Sequence, residues 1–156
     1  ARKEQSELKP TDINQSIQSA LDMLRHEFMQ RSVEYVFEPT ENLPMIMASQ
    51  ENLSGVWVNI LLNALDASPN QNGKVRVVTG LNGSEIRVIL SDNGVGIPKE
   101  QLKRIFDPFF TTKEVGKGTG LGLSICHRVI KQHGGNIVVD SQVNVGTTFT
   151  ITLPTY

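Results

Sequence analysis

Two alternating stretches, residues 74–80 and 85–91, flank Asn82-Gly83, and this pairing constrains the fold more than any other feature of the chain. Ile86, Val88 and Leu90 fall on every second position, the spacing of a strand with one buried face. Asn-Gly between two such stretches is a strong hairpin signal, because both residues accept the positive φ of a tight turn. At least one strand pair is therefore antiparallel. Strands and helical stretches also mix without strict alternation. Both facts favour a mixed sheet with helices on one face over a doubly wound parallel sheet.

Helical spacing marks the covering layer. Asp12 followed by Gln15 has the form of a capping box, and Ile13, Ile17, Ala20, Leu21, Leu24 and Phe28 then form a single stripe, predicting one long first helix. Residues 33–37 read as a short strand. Ser49 caps a second helix predicted to run to Ala67, where Ser68-Pro69-Asn70-Gln71-Asn72-Gly73 ends it. Pro98 opens a short helix expected to reach Phe106. Residues 107–119 lack periodicity and read as a mobile loop. A third main helix is expected from Gly120 to His133, stopped by Gly134-Gly135. Strands over 136–141 and 147–153 close the chain around Asn144-Val145-Gly146.

Composition removes several function classes. At 156 residues the chain is one domain with room for a core. A formal net charge of −1 argues against a nucleic-acid surface. The longest apolar run, Val56 to Leu65, is broken by Asn59 and Asn63 and is too short to span a bilayer. The charged start, Ala1-Arg2-Lys3-Glu4-Gln5, does not have the form of a signal peptide. Cys126 alone forms no intrachain disulfide; it points to a reducing compartment and falls in an apolar helical pattern as a small buried hydrophobe. His26, His127 and His133 do not combine with it at zinc-ligand spacing.

Four stretches carry chemistry. Asp92-Asn93-Gly94-Val95-Gly96 ends the second hairpin strand with a carboxylate and two spaced glycines. That junction suits a flat ligand lying against the backbone, although the same residues also compose an ordinary turn. Asn59, Asn63 and Asp66 fall at i, i+4 and i+7 of the second helix, a polar stripe apart from the apolar face of Leu53, Trp57, Ile60, Leu61 and Ala64. It is a solvated face or a set of oxygen ligands for a hard cation such as Mg²⁺. Gly116-Lys117-Gly118-Thr119-Gly120-Leu121-Gly122-Leu123 leads glycines into a helix start, where N–H groups and the helix dipole attract anions. Neither the P-loop spacing nor the dinucleotide fingerprint is present, and no strand feeds this segment. Phe106-Asp107-Pro108-Phe109-Phe110 is core packing or a clamp over a ligand, and Gly146-Thr147 adds a hydroxyl able to reach a neighbour such as Asp92.

In this order the stretches resemble the catalytic and ATP-binding domain of sensor histidine kinases, in the superfamily shared by gyrase B, the Hsp90 chaperones and MutL. The likeness runs from Thr11 to Pro154. Asn59-Ile60-Leu61-Leu62-Asn63-Ala64 looks like the N box and Asp92-Asn93-Gly94-Val95-Gly96 like the G1 box. Phe106-Asp107-Pro108-Phe109-Phe110-Thr111-Thr112-Lys113 looks like the F box, in a form similar to nitrogen-regulator kinases, and Gly118-Thr119-Gly120-Leu121-Gly122-Leu123 like the G2 box.

The resemblance implies a Bergerat fold, a two-layer α/β sandwich of about five mixed strands with three α-helices on one face. It implies that Asp92 accepts a hydrogen bond from the adenine amino group with Thr147 and a water in support, and that Gly96 lets the base approach. Asn63 would hold Mg²⁺, and Asn59 would lie near the phosphates. Gly120, Leu121 and Gly122 would hold the β- and γ-phosphates with Lys113 as a further partner. Asp66, Gly94, Ile97, Thr119 and Leu123 complete the implied nucleotide-binding set, and Ile97 to Thr119 would form the ATP lid. The implied boundary puts a residual linker at 1–10 and the catalytic domain at 11–156.

Two departures shape the expected reaction. ATP hydrolases of the superfamily carry a glutamate at the first N-box position, where this chain has Asn59. Phosphoryl transfer by positioning and charge neutralisation is then favoured over hydrolysis. The acceptor motif of such kinases resembles His-Glu-x-x-x-x-Pro, but His26-Glu27 lacks the proline. The acceptor histidine is therefore expected on a separate dimerisation domain of the same protein, with a response regulator receiver domain downstream. The expected setting is cytoplasmic, with this domain a monomer and the full kinase a homodimer, membrane-anchored or not. The rival readings are a protein-serine kinase of the anti-sigma-factor type and a non-catalytic nucleotide-sensing module.

Overall fold

The computed structural model describes residues 7–110 and 122–155. Its main sheet has five strands: β2 (Glu34–Glu38), β4 (Lys74–Asn82), β5 (Glu85–Asp92), β6 (Asn136–Gln142) and β7 (Gly146–Pro154), in the order β2-β4-β5-β7-β6. β2 pairs parallel with β4, and the other three pairings are antiparallel. The mixed sheet inferred from the hairpin is thus the observed one. The hairpin turn itself is Gly83-Ser84, one residue beyond Asn82-Gly83, because Asn82 pairs with Glu85. Gly83 takes φ 63°, as the first central residue of such a tight turn requires.

Alternation along β4, β5 and β7 sends Val75, Val77, Ile86, Val88, Leu90, Phe149, Ile151 and Leu153 to the buried face. Against it lie α1 (Ile13–Met23), α3 (Gln50–Ala67) and α5 (Gly122–Gln132), with α3 packed against both other helices. The caps read from sequence are present: Asp12 Oδ1 accepts from Gln15 N at 3.1 Å and Ser49 Oγ from Asn52 N at 3.3 Å. Trp57 is fully buried at the centre of this layer, and its Nε1 donates to Ser16 Oγ of α1 at 3.0 Å.

The first helix departs from expectation. Its stripe is buried through Phe28, but the helix breaks at Leu24, whose φ −98° and ψ 6° leave the α region. A second helix, α2 (Arg25–Gln30), follows. The bend turns Phe28 onto Tyr35 of β2, edge to face at 4.9 Å. No glycine or proline marks the break, so periodicity alone carried the stripe across it.

Other boundaries also move. α4 (Lys99–Leu102) stops well before Phe106, because i to i+3 bonds from Arg104 N to Gln101 O and from Asp107 N to Arg104 O tighten the chain into turns. The third main helix is described from Gly122; its expected start at Gly120 and most of the expected loop, 111–119, lie outside the described residues. A small antiparallel sheet was not foreseen. β1 (Lys9–Thr11) pairs with β3 (Ile46–Ala48), placing Thr11 opposite Ile46 and Lys9 opposite Ala48. Each strand runs directly into a helix cap, Asp12 after β1 and Ser49 after β3, so the ladder fixes where α1 and α3 begin. Among the described residues no helix is long and apolar enough to cross a membrane.

Candidate functional site

Strand β5 delivers Asp92 to the edge of the helical layer, opposite Thr147 of β7. Its Oδ1 accepts from Gly94 N at 2.8 Å. Burial pushes the Asp92 carboxyl above its ordinary value, while hydrogen bonds from the backbones of Gly94 and Thr147 pull the other way. A partly desolvated carboxylate aimed at a loop is an acceptor held ready for a neutral N–H donor.

The Thr147 hydroxyl has a different partner from the one suggested by sequence. It lies 2.7 Å from Ser141 Oγ, and it is the Thr147 backbone that faces Asp92. Ser141 also hydrogen-bonds the Gly146 carbonyl at 3.0 Å and accepts from Ile97 N at 2.8 Å. If its single proton goes to Gly146, Thr147 donates to it. Ser141 was missed because its role arises from register: it sits opposite Thr147 across the β6–β7 pair.

The two glycines of this loop answer first to the protein's own backbone. A Cβ on Gly94 would run into the Ala67 carbonyl, to which Val95 N donates at 2.9 Å. Gly96 takes φ 78°, and a Cβ there would meet the Gln142 carbonyl. Glycine at 94 thereby lets the C-terminal end of α3 dock on the loop after Asp92. Glycine at 96 lets the β6–β7 turn close against the same loop, tied by Asn144 N to Val95 O at 2.8 Å.

The other end of the α3 stripe meets α5. Asn59 Nδ2 bonds back to the Gly55 carbonyl at 3.0 Å, which turns its Oδ1 towards Gly122; a Cβ on Gly122 would come within 2.9 Å of that oxygen. From Asn59 to Ala67 the helix rises about 12 Å at the α-helical pitch. Asn63 lies between, half-buried, and its amide has no hydrogen-bond partner among the described residues. Asp66 is the exception on the stripe: its Oδ1 receives Arg31 Nη1 at 2.7 Å. Arg31 carried no sequence signal, since it follows α2, far along the chain from the residue it meets.

The structure thus brings Asn59, Asn63, Asp66, Asp92, Gly94, Gly96, Ile97, Gly122 and Thr147 to one side of α3 and the adjoining loops. Leu123 packs partly buried against the core. Lys113, Thr119, Gly120 and Leu121 lie outside the described residues. Of the aromatic cluster, Phe106 packs near Phe149 at 6.5 Å and His127 at 5.2 Å. Phe109 is 72% exposed with φ 70°, and Phe110 lies under Arg104 at 4.8 Å. Core packing therefore accounts for Phe106 and Phe110, both partly buried against the core, and not for Phe109. Cys126 is fully buried with its thiol pushed up to about 12 by desolvation, the state of an inert core residue.

Comparison with known proteins gives a consistent answer. Residues 48–156 match the family described as histidine kinase-, DNA gyrase B-, and HSP90-like ATPase. Sensor histidine kinase ZraS of Escherichia coli strain K12 is 38% identical over 147 residues, 94% of this chain and 31% of that protein. The chain therefore spans about a third of that relative's length. Among solved structures, a nucleotide-free catalytic domain of histidine kinase ThkA matches with a TM-score of 0.85 at 31% identity, covering 96% of each chain. Histidine kinase ThkA in complex with response regulator protein TrrA matches with a TM-score of 0.80 at 27% identity, over 96% of this chain and 42% of that one.

Proposed function

The chain belongs to the histidine kinase-, DNA gyrase B- and HSP90-like ATPase family, and from that premise we propose that it transfers the γ-phosphoryl group of Mg·ATP to a histidine on another domain. The carrying observation is the docking of α3 at both ends, onto the Asp92 loop through Ala67 and onto Gly122 through Asn59. A nucleotide laid along that helix would place adenine at Asp92 and phosphates beside Asn59 and Gly122. Asn59 supports transfer over hydrolysis: an amide bonded back to Gly55 cannot take a proton from water, so no general base stands at this position. The rate must then come from positioning and charge neutralisation.

Mg²⁺ fits the residues present. Asn63 offers a hard amide oxygen with no competing partner among the described residues, and Mg²⁺ commonly takes one or two protein ligands with phosphates and water completing the shell. Its chemistry there is to offset phosphate charge. Asn63→Ala should abolish the Mg²⁺ dependence of nucleotide affinity while nucleotide still binds; an unchanged Mg²⁺ titration would remove Asn63 from the metal site.

The likeness to sensor histidine kinase ZraS and to ThkA in complex with a response regulator supports histidine phosphorylation with a response regulator downstream. To this we add, as part of the same proposal, an acceptor histidine on a dimerisation domain of the same protein and a cytoplasmic, homodimeric kinase. Incubating the chain with γ-labelled ATP and a separately supplied histidine-bearing hairpin domain tests it. Acid-labile, base-stable label on the hairpin is expected. Acid-stable label would point to serine, and no label despite ATP binding would leave a nucleotide-sensing module.

A further inference from the structure

Three polar side chains lie in register across three strands of the sheet. Ser141 of β6 stands opposite Thr147 of β7, and Thr147 stands opposite Asp92 of β5. Directly opposed residues of antiparallel strands share a face. Alternation along β7 sends Thr147 to the face that buries Phe149, Ile151 and Leu153. The row Ser141, Thr147, Asp92 therefore points into the helical layer, with Asp92 at its end.

One proton decides what this row offers. The Ser141 hydroxyl has a single proton and two lone pairs. Ile97 N can only donate, and at 2.8 Å it occupies one lone pair. The Gly146 carbonyl can only accept, and at 3.0 Å it takes the proton. The remaining lone pair faces Thr147 Oγ1 at 2.7 Å, so Thr147 donates to it. The single proton of Thr147 is then committed away from Asp92, and its hydroxyl keeps only lone pairs for a ligand. Asp92 is an acceptor as well. Ser141 thus makes this end of the cleft a wall of acceptors. Thr147 is only 5% exposed, and a wrongly paired polar group is costly away from water, so the direction of that proton matters.

We propose that Ser141, without touching the nucleotide, is a positioning residue for base specificity: by holding the Thr147 proton it turns the row against a base with an oxo group in place of the adenine amino group. This rests on the ATP reading above and adds an indirect source of discrimination to Asp92. Calorimetry with ATP and inosine triphosphate tests it on the wild type, Ser141→Ala, Ser141→Cys, Ser141→Thr, Thr147→Val and the Ser141→Ala, Thr147→Val double variant. The wild type is expected to prefer ATP by about tenfold or more. In Ser141→Ala the freed Thr147 proton can turn to the oxo group, and the preference should fall about fivefold, the scale of one net hydrogen bond. Ser141→Cys, a near-isostere with a weak acceptor, should give a smaller fall in the same direction, and Ser141→Thr should keep the wild-type preference. With Thr147→Val already present, Ser141→Ala should change the preference no further. A purely structural Ser141 would weaken both nucleotides by the same factor. An unchanged preference in Ser141→Ala and Ser141→Cys, or a further fall on adding Ser141→Ala to Thr147→Val, would overturn the proposal while the ATP reading stands. A wild type that binds both nucleotides equally would overturn the adenine assignment of Asp92, and one that binds neither would overturn the ATP reading itself.

Discussion

Trp57→Ala should cost the domain about 3–5 kcal/mol of folding stability, the range for truncating a large buried aromatic side chain. Trp57 is fully buried and joins α3 to α1 through its indole hydrogen bond to Ser16. Truncation leaves a cavity between the helix that bears the asparagine stripe and the helix that supports it from behind, and it removes the donor from Ser16. Against a typical total of about 5–15 kcal/mol, that is a large fraction of the reserve. Chemical denaturation should show a lowered midpoint, and ATP should partly restore it, since a ligand of the native state stabilises by mass action. A loss below about 1 kcal/mol would mean that the layer collapses around the gap more readily than a close-packed core does.

Asp92→Asn should act in opposite directions on binding and on folding. ATP affinity should fall by about 1–3 kcal/mol, or roughly 5- to 150-fold, as a charged acceptor for the adenine amino group becomes a neutral one. Stability should not fall with it. Burial holds the Asp92 carboxyl above its ordinary value of 3.8, so the native state binds that proton more tightly than the unfolded chain does. The resulting penalty is absent below the unfolded value, grows as pH rises through the raised native one, and is fully present at neutral pH. Asparagine removes the charge and keeps an oxygen for Gly94 N. The variant should therefore melt no lower than the wild type at neutral pH, with any advantage shrinking in acid. Wild-type ATP affinity should weaken over the same acidic range as the carboxylate protonates. Parallel loss of affinity and melting temperature in the variant would instead make Asp92 a structural residue.

The fold was legible where a pattern repeats over many residues. Ile86, Val88 and Leu90 announced a half-buried strand, and the stripe from Ile13 to Phe28 announced a covering helix. Shorter or non-local features were not legible. Three-residue strands such as β1 and β3 are too short to show a period, and the bend at Leu24 follows from packing Phe28 against Tyr35, not from a breaker residue. In the site, motif residues were visible because chemistry restricts their type: an acid ending a strand, amides on one helix face. Their supporting partners were not. Ser141 reaches Thr147 only through strand register, and Arg31 reaches Asp66 only once α2 is folded beside α3. The glycines were seen for a partly different reason than the one that applies. Gly94 and Gly96 first admit neighbouring carbonyls, and that is how the Asp92 loop comes to join α3 and the β6–β7 turn.

Asp92, Asn63 and Asn59 are proposed to serve one nucleotide along one face of α3. A crystal structure of the chain soaked with a non-hydrolysable ATP analogue and Mg²⁺ tests it most directly. The adenine amino group is expected on the Asp92 carboxylate, the Asn63 amide oxygen on the metal, and the phosphates beside Asn59 and Gly122. An analogue bound with its base away from Asp92, or with its metal held without Asn63, would contradict it.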